Sequence, residues 1–284
     1  MSAGIGFYKG HGTENDFVVI PDLDASIELD PAAVARICDR RAGVGADGVL
    51  RVIPSDDPAA RWYMDYRNAD GSVAEMCGNG IRVFARFLVE AGLARPGEFT
   101  VGTRGGIRIV HVPVSGGDIN AGMGSHEVRD VPGLRVTAGD LSWEAVSVSM
   151  GNPHAVVFVD DLDDAGSLDE APSVTPSDAF PDGVNVEFVV TRGRRHIAMR
   201  VHERGSGETR SCGTGACAAA VAAAIRLEGT AAAGTWRVDV PGGRLAVALN
   251  ADGTVELAGP AVLVAQGTLR SGLISNERRK SGSS

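Results

Sequence analysis

An internal repeat is the feature that most constrains how this chain can fold. The segment from Met64 to Gly80 aligns with the segment from Met199 to Gly215 at an offset of 135 residues, and both end in a Cys-Gly-x-Gly motif. Further matches follow in the same order at offsets of 135 to 137: Asp47-Gly48-Val49 with Asp182-Gly183-Val184, Gly105-Gly106 with Gly242-Gly243, and Asn15 with Asn152. Several anchors in one order at nearly one spacing indicate a chain built from two similar halves.

Each half contains several short strand patterns and one strongly apolar helical pattern. The β-branched segments FVVI, RWYMDY, NVEFVV and WRVDV are bounded by turn residues and predict strands. The segments IRVFARFLVEAG and ACAAAVAAAIRLEG predict helices that end at Gly92 and Gly229. Because both helices are apolar on most of their circumference, each must be buried on nearly every side. The predicted fold class is α+β, with two pseudo-symmetric domains, each a β-roll or barrel wrapped around a central α-helix.

The repeat also predicts the domain organisation. The first half is expected to span residues 1–122 and the second half residues 123–260. The last strand pattern, at about 261–272, has no partner in the repeat, and we expect it to return to the first half. Residues 273–284 are polar and are predicted to be a disordered tail.

Composition excludes several classes of partner. The 284 residues are 44% hydrophobic and 22% charged, which is typical of a soluble globular protein. The net charge of −9, with no dense basic run outside the last residues, argues against nucleic acid or an anionic membrane as the main partner. No secretory signal pattern opens the chain, and the four cysteines lack CxxC spacing. We therefore expect a cytoplasmic protein with neither a disulfide framework nor a zinc site.

Two of the four cysteines occupy positions that packing alone does not explain. Cys77 and Cys212 each stand immediately before a Gly-x-Gly helix start, where unpaired backbone N–H groups and the positive end of the helix dipole favour a thiolate. The glycines let these amides approach a carboxylate closely. Cys38 and Cys217 lie within helical patterns and are interpreted as small buried hydrophobes.

Two thiols that face each other across a cleft suggest inversion of a stereocentre. Such a reaction needs a base on one face of a Cα–H bond and an acid on the other, and a thiol can serve as either near neutral pH. The helix starts can stabilise a carboxylate that becomes enediolate-like as the proton leaves. This chemistry requires neither a metal nor a cofactor, and the only lysines, Lys9 and Lys280, show no pyridoxal-binding context.

Most polar residues near these motifs fit ordinary roles when each is considered alone. Asn15 and Asn68 fit turns, Glu203-Arg204 fits a solvated pair on a loop, and His154 fits a structural histidine. Asn185 differs because it lies within an otherwise apolar strand, where a buried amide needs partners.

Taken together, the motifs identify a family. KGHGTENDF, YRNADGSVAEMCGNG, MGNPH, PDGVNVEF and HERGSGETRSCGTG occur in order, and the similarity runs from about Phe7 to about Leu269. They closely resemble diaminopimelate epimerase. The resemblance implies cofactor-independent interconversion of LL- and meso-2,6-diaminopimelate, in lysine and peptidoglycan-precursor biosynthesis. It implies a small-molecule substrate, and homodimers occur in the family, although nothing in the sequence marks an interface.

The resemblance also assigns site residues by position. Cys77 and Cys212 match the two catalytic thiols, and His154 and Glu203 match a polar pair beside them that assists proton transfer or holds the α-amino group. Substrate-binding positions are matched by Asn15, Asn68, Gly78, Asn79, Asn152, Asn185, Glu203, Arg204, Gly213 and Thr214. Gly48 departs from the pattern, because many members have a substrate-contacting Gln there.

Two alternatives remain open from the sequence. A proline or hydroxyproline racemase uses the same fold and thiol chemistry, but its substrate lacks the second amino-acid end that the asparagines and Arg204 are expected to bind. A related phenazine-pathway isomerase shares the fold, but it uses a carboxylate base and lacks the paired cysteines, so Cys77 and Cys212 argue against it. From a different class, the chain could be a non-catalytic amino-acid-binding thiol sensor, with Cys77 and Cys212 forming a switchable disulfide.

Overall fold

The computed structural model describes residues 4–274. The strands of this part of the chain are β1 (Ile5–Gly12), β2 (Asn15–Pro21), β3 (Gly48–Pro54), β4 (Trp62–Asn68), β5 (Gly97–Thr103), β6 (Gly106–Val112), β7 (Ile119–Ser125), β8 (Glu127–Arg129), β9 (Arg135–Ala138), β10 (Leu141–Ser149), β11 (Pro153–Phe158), β12 (Ser173–Thr175), β13 (Asn185–Gly193), β14 (His196–Glu203), β15 (Gly207–Thr209), β16 (Gly234–Val240), β17 (Gly243–Leu249), β18 (Thr254–Gly259) and β19 (Val262–Leu269). The helices are α1 (Pro31–Cys38), α2 (Gly78–Glu90), α3 (Gly213–Glu228) and α4 (Ser271–Ile274), with a short 3₁₀ helix at Leu162–Ala165.

Strand pairing follows the same scheme in both halves. In the first half β1 pairs antiparallel with β2, β2 parallel with β3, β3 antiparallel with β4, β4 parallel with β5, and β5 antiparallel with β6. In the second half β10, β11, β13, β14, β16 and β17 repeat that series with the same alternation. The predicted two-part α+β fold, with strands around one helix in each part, is confirmed.

The pairing register corrects one detail of the sequence repeat. Phe17 is the first residue of β2 to pair with β3, opposite Gly48, and His154 holds the same place in β11, opposite Asn185. Equivalent positions in these strands are therefore 137 residues apart, so the match of Asp47-Gly48-Val49 with Asp182-Gly183-Val184 at 135 was out of register. The structural counterpart of Gly48 is Asn185, and not Gly183.

Strands at the ends of each half hold the molecule together. β7 pairs with β6 in its own half and with β18 in the other, so the boundary predicted after residue 122 falls inside a strand that both halves share. β19 pairs antiparallel with β1, which places the end of the described chain on the first half. Residues 273–274 of the segment predicted to be a disordered tail lie in α4, and residues 275–284 lie outside the described part.

The two central helices fill the cores of the halves differently. Large side chains of α2, such as Phe84 and Phe87, pack against β-branched residues of the surrounding strands. On α3 the run from Ala216 to Ala224 contains only Ala, Cys and Val, and all of it is fully buried. Since these side chains are small, the strands of the second half can approach the helix on every side. α3 ends as predicted, with Gly229 in the left-handed conformation at φ 77°.

Candidate active site

Cys77 and Cys212 are the N-cap residues of the two central helices. Each adopts an extended backbone, and its sulfur accepts a hydrogen bond from the amide three residues later, Gly80 N at 3.3 Å and Gly215 N at 3.4 Å. The first turn of each helix therefore directs a backbone N–H group at the cysteine sulfur.

The two helix starts meet through glycine. A Cβ atom on Gly213 would lie 2.9 Å from Gly78 Cα, and one on Gly78 would lie 3.2 Å from Gly213 Cα. Backbone contact this close is compatible only with a hydrogen at each position. The glycine that follows each cysteine thus brings the two thiols to either side of one junction between the halves.

Burial dominates the ionisation of both thiols. It raises the pKa of Cys77 to about 12, and the negative charge of Glu203 raises it further, against the hydrogen bond from Gly80. Burial also raises the pKa of Cys212 well above its ordinary value, and Glu203 and Glu187 add to the effect. The helix starts were expected to favour a thiolate, but burial outweighs them and favours the protonated form of both cysteines.

A cleft of about 620 Å³ opens over the two thiols. Its walls are formed by strand ends and helix starts from both halves. The predicted residues that line it are Cys77, Cys212, Asn15, Asn68, Gly78, Asn79, Asn152, Asn185, Glu203, Arg204, Gly213 and Thr214. The structure thus brings together every predicted site residue except His154.

His154 is placed differently from the expectation that it stands beside a thiol. Its side chain is fully buried behind the cleft, with Nδ1 2.6 Å from Glu187 Oε1 and Nε2 3.1 Å from Asn152 Oδ1. Because both ring nitrogens are already engaged, His154 reaches the cleft only through Asn152. Glu203 does line the cleft, where its carboxylate accepts a hydrogen bond from Thr209.

The side chains of the first half form a polar network around Cys77. Asn15 Oδ1 accepts from the Cys77 thiol at 3.8 Å and from Asn79 Nδ2 at 3.3 Å, while Asn15 Nδ2 donates to Asp47 at 2.7 Å. Asn79 Nδ2 also donates to Ser211 O at 2.9 Å. Asn79 therefore links the start of α2 to the residue before Cys212.

Arg82 supports this network from behind. Its guanidinium is fully buried and donates to Gly78 O, Asn79 Oδ1 and Thr13 Oγ1. Burial lowers the pKa of Arg82 to about 10. All three acceptors are neutral, so this cation is held by hydrogen bonds to the helix start.

Asn185 has the partners that its position in an apolar strand demands. Its Nδ2 donates to Pro153 O at 3.1 Å, and its Oδ1 accepts from Arg204 N at 2.9 Å. The Arg204 side chain donates to Asp182 O at 3.0 Å. The amide of Asn185 therefore ties β11 to the turn after β14, at the rim of the cleft.

Tyr66 occupies the space beside Gly48. A Cβ atom on Gly48 would lie 2.8 Å from Tyr66 Cε2 and 2.5 Å from Arg67 O, so no larger residue fits there. The Tyr66 hydroxyl lines the cleft and donates to Asn68 Oδ1 at 2.7 Å. The Tyr66 ring can occupy this position only because residue 48 has no side chain.

Several polar residues that shape the site were not predicted from the sequence; they include Tyr66, Glu187, Ser211, Asp47 and Arg82. Glu187 carried a readable signal, because a carboxylate in NVEFVV is as exceptional in an apolar strand as Asn185 two residues earlier. Tyr66 and Ser211 carried none, since Tyr66 packs against Gly48 and Ser211 accepts from Asn79, and both of these partners are distant in the chain.

Within residues 4–274, no cluster of three or more His, Cys, Asp or Glu side chains is arranged to hold a metal ion. Among the described helices, none has both the length and the apolar character needed to cross a membrane.

The sequence family of the chain follows from comparison with known proteins. The family model for diaminopimelate epimerase matches residues 7–128 and 146–264. The chain belongs to the diaminopimelate epimerase family. Diaminopimelate epimerase of Streptomyces coelicolor is 57% identical over 279 residues, covering 94% of this chain and 96% of the relative. That of Acidothermus cellulolyticus is 50% identical over 294 residues, covering 93% and 95%.

Solved structures show that the fold extends beyond this family. A PhzF-family phenazine biosynthesis protein from Bacillus anthracis matches with a TM-score of 0.73 at 18% identity, covering 94% of this chain and 99% of the other. A hydroxyproline epimerase from Agrobacterium vitis matches with a TM-score of 0.70 at 14% identity, covering 94% and 93%. At these identities the similarity establishes the fold alone.

Proposed function

We propose that this member of the diaminopimelate epimerase family interconverts LL- and meso-2,6-diaminopimelate, with Cys77 and Cys212 as its acid and base. The observation that carries the proposal is the pair of thiols capping two helices that meet at Gly78 and Gly213, inside one polar cleft. The names of the relatives support the substrate.

The reaction requires one thiolate and one thiol. The thiolate removes the proton from one face of the α-carbon, and the electron pair of the C–H bond moves into the α-carboxylate, which becomes enediolate-like. The opposite thiol then gives its proton to the other face, inverting the centre and leaving a thiolate where the thiol had been. Backbone N–H groups at the starts of α2 and α3 stabilise the charge on the carboxylate.

Substrate binding is proposed to favour the thiolate that the reaction requires. Burial raises the pKa of both thiols; the charge of Glu203 adds to the shift at both, and the charge of Glu187 adds to it at Cys212. The α-ammonium group of the substrate brings a positive charge beside them, which lowers the pKa of a neighbouring thiol. Ionisation of the thiol is thereby coupled to occupancy of the site.

The remaining polar residues are proposed to hold the two amino-acid ends of the substrate. Asn79 and Thr214, with Gly78 and Gly213, surround the reacting carboxylate at the helix starts. The side chains farther from the helix starts are proposed to bind the distal carboxylate and ammonium, since amides and a guanidinium suit these groups. These side chains are Asn15, Asn68, Asn152, Asn185 and Arg204. Glu203 is proposed to hold the reacting ammonium and assist proton transfer, and His154 to act through Asn152.

The setting of the enzyme follows the same proposal. Four free thiols suit a reducing compartment, which favours the cytoplasm. The net charge of −9 favours a small-molecule substrate over nucleic acid or an anionic membrane. The family also includes homodimers, and light scattering of the purified protein distinguishes that state from a monomer.

An assay with two substrates tests the function. The reduced protein is incubated with LL-diaminopimelate or with L-proline, and the stereoisomers are separated by chromatography. We expect the meso isomer from the first and no D-proline from the second. D-proline without meso-diaminopimelate would establish the racemase alternative, and no product from either, with folded and reduced protein, would support the thiol sensor.

A further inference from the structure

A chain of four hydrogen-bond contacts joins a buried carboxylate to one of the two thiols. Glu187 Oε1 lies 2.6 Å from His154 Nδ1, and His154 Nε2 lies 3.1 Å from Asn152 Oδ1. Asn152 Nδ2 lies 3.3 Å from Thr214 Oγ1, which lies 3.5 Å from Cys212 Sγ. Only the outer end of this chain, from Asn152 onward, lines the cleft.

The chemistry of each group fixes the direction of the hydrogen bonds. An amide oxygen only accepts, so His154 Nε2 carries a hydrogen and donates it to Asn152 Oδ1. Asn152 Nδ2 in turn donates to Thr214 Oγ1. A hydroxyl has one hydrogen, and since Thr214 accepts from Asn152, that hydrogen is free to be donated to the sulfur of Cys212.

Glu187 completes the chain at its buried end. With Nε2 already a donor, a proton must also lie between Nδ1 and Glu187 Oε1, shared by an imidazolium and a carboxylate or by their neutral forms. Both side chains are fully buried, and a Cβ atom on Gly215 would lie 2.7 Å from Glu187 Oε1, so the carboxylate is wedged against the first turn of α3. Without Glu187 the imidazole is free to turn its unprotonated nitrogen toward Asn152.

Turning the imidazole in this way would reverse the hydrogen bonds of the chain as far as the thiol. An unprotonated Nε2 accepts from the amide of Asn152, which must then turn its oxygen toward Thr214. The Thr214 hydroxyl would donate to that oxygen and would no longer be available to Cys212. We infer that Glu187 is a positioning residue that keeps the Thr214 hydroxyl donating to the sulfur of Cys212, and so stabilises the thiolate form of that cysteine.

The inference rests on the proposed role of Cys212, but its test needs no turnover. Titratable groups from several elements surround this thiol: Glu203 on β14, Glu187 on β13, His154 on β11 and Tyr66 on β4. The test must therefore separate the hydrogen-bond chain from the charge of Glu187, which by itself disfavours the thiolate.

Two variants with the same charge make that separation. Glu187→Gln can donate to Nδ1 and preserve the direction of the chain, whereas Glu187→Met removes the contact. The rate of alkylation of Cys212 by iodoacetamide is measured from pH 7 to 10 by peptide mass spectrometry, with Cys77 in the same molecule as the internal reference. We expect Cys212 in Glu187→Met to be about tenfold less ionised than in Glu187→Gln, the effect of losing one hydrogen bond to a charged group.

A Thr214→Val background and a ¹⁵N spectrum of His154 complete the test. In Thr214→Val the two Glu187 variants should react equally at Cys212, because the last donor is gone. Equal reactivity of the two variants with Thr214 present would overturn the inference. If Glu187→Met does not fold, the ¹⁵N spectrum of the native protein decides: a hydrogen on His154 Nε2 supports the inference, and its absence overturns it. Failure to epimerise diaminopimelate would affect only the proposed function.

Discussion

Gly213 shows how one missing side chain sets the geometry of the whole site. In most helices glycine costs stability relative to alanine, about 0.5–1 kcal/mol. Here a methyl group would lie 2.9 Å from Gly78 Cα, on a backbone that cannot move aside without separating the helix starts. The contact with Gly78, and not helix propensity, therefore decides whether a substitution at Gly213 stabilises or destabilises the protein.

We expect Gly213→Ala to lower the free energy of unfolding by about 1–3 kcal/mol through overpacking, and to reduce epimerase activity strongly. Gly6→Ala is the matched control, because no atom lies within 4 Å of the added methyl at that position. Urea denaturation measures the free energy of unfolding of both variants, and the epimerase assay measures their activity. A Gly213→Ala protein as stable and active as the Gly6→Ala control would show that the helix starts do not need this contact.

The ionisation of Cys77 leads to a pH prediction. Its pKa is raised from 9.0 to about 12, chiefly by burial, so the thiol stays protonated until far above neutral pH. At pH 8 the thiolate fraction is then about a thousandfold below that of an unperturbed thiol. Alkylation of ligand-free protein should be slow and should rise steadily from pH 7 to 10. The same cysteine in urea should react fast and level off above its ordinary pKa, and a plateau near pH 9 in folded protein would contradict the shift.

At the scale of elements, α3 has little room for larger side chains. From Ala216 to Ala224 every residue is fully buried, so no face of the helix has room for a longer side chain. We expect Ala220→Leu to destabilise the protein by about 1–3 kcal/mol. The same change at the exposed Ala35 of α1 should have little effect. Thermal unfolding of both proteins measures the difference, and equal melting temperatures would mean that the second core can expand.

The three longer helices and several strands could be predicted from sequence because their signals are local, whereas α4 could not. The apolar run of α3, the glycine that ends it and the cysteines that begin α2 and α3 are all visible within a few residues. The register between strands is not local, and for that reason the repeat around Gly48 was aligned two residues away from its structural counterpart Asn185.

The residues of the site also divide into those with a local sequence signal and those without one. Cys77, Cys212 and Asn185 could be found from residue type and position alone, because thiols before glycines and an amide in an apolar strand are exceptional. The position of His154 could not, since its burial depends on Glu187 from a neighbouring strand and on Asn152. Which polar residues face the cleft is decided by strand pairing, and a single sequence carries no direct record of that.

At the scale of the molecule, the last strand closes the first half. β19 pairs with β1, and Leu269 at its end is 2% exposed, among Val18, Ile20, Val34 and Ile37. The core of the first half is therefore completed only when β19 has been made.

We expect Leu269→Ala to destabilise the protein by about 2–5 kcal/mol, through lost burial and the cavity it leaves. Val264→Ala, on the same strand but 56% exposed, should change stability by less than about 0.5 kcal/mol. Hydrogen exchange should show the loss of protection first in β1, β2 and α1. Loss that begins in β16 to β18 instead would contradict the role assigned to β19.

The central claim is that two thiols act from opposite faces of one carbon, and early isotope labelling tests it most directly. LL-diaminopimelate is added to the enzyme in deuterated water, and both isomers are analysed by mass spectrometry before a tenth of the substrate has reacted. We predict a meso product that carries one deuterium, remaining LL-substrate that carries almost none, and no product from Cys77→Ala or Cys212→Ala. Early deuterium in the LL-substrate, a product that keeps its original proton, or normal turnover by either variant would contradict it.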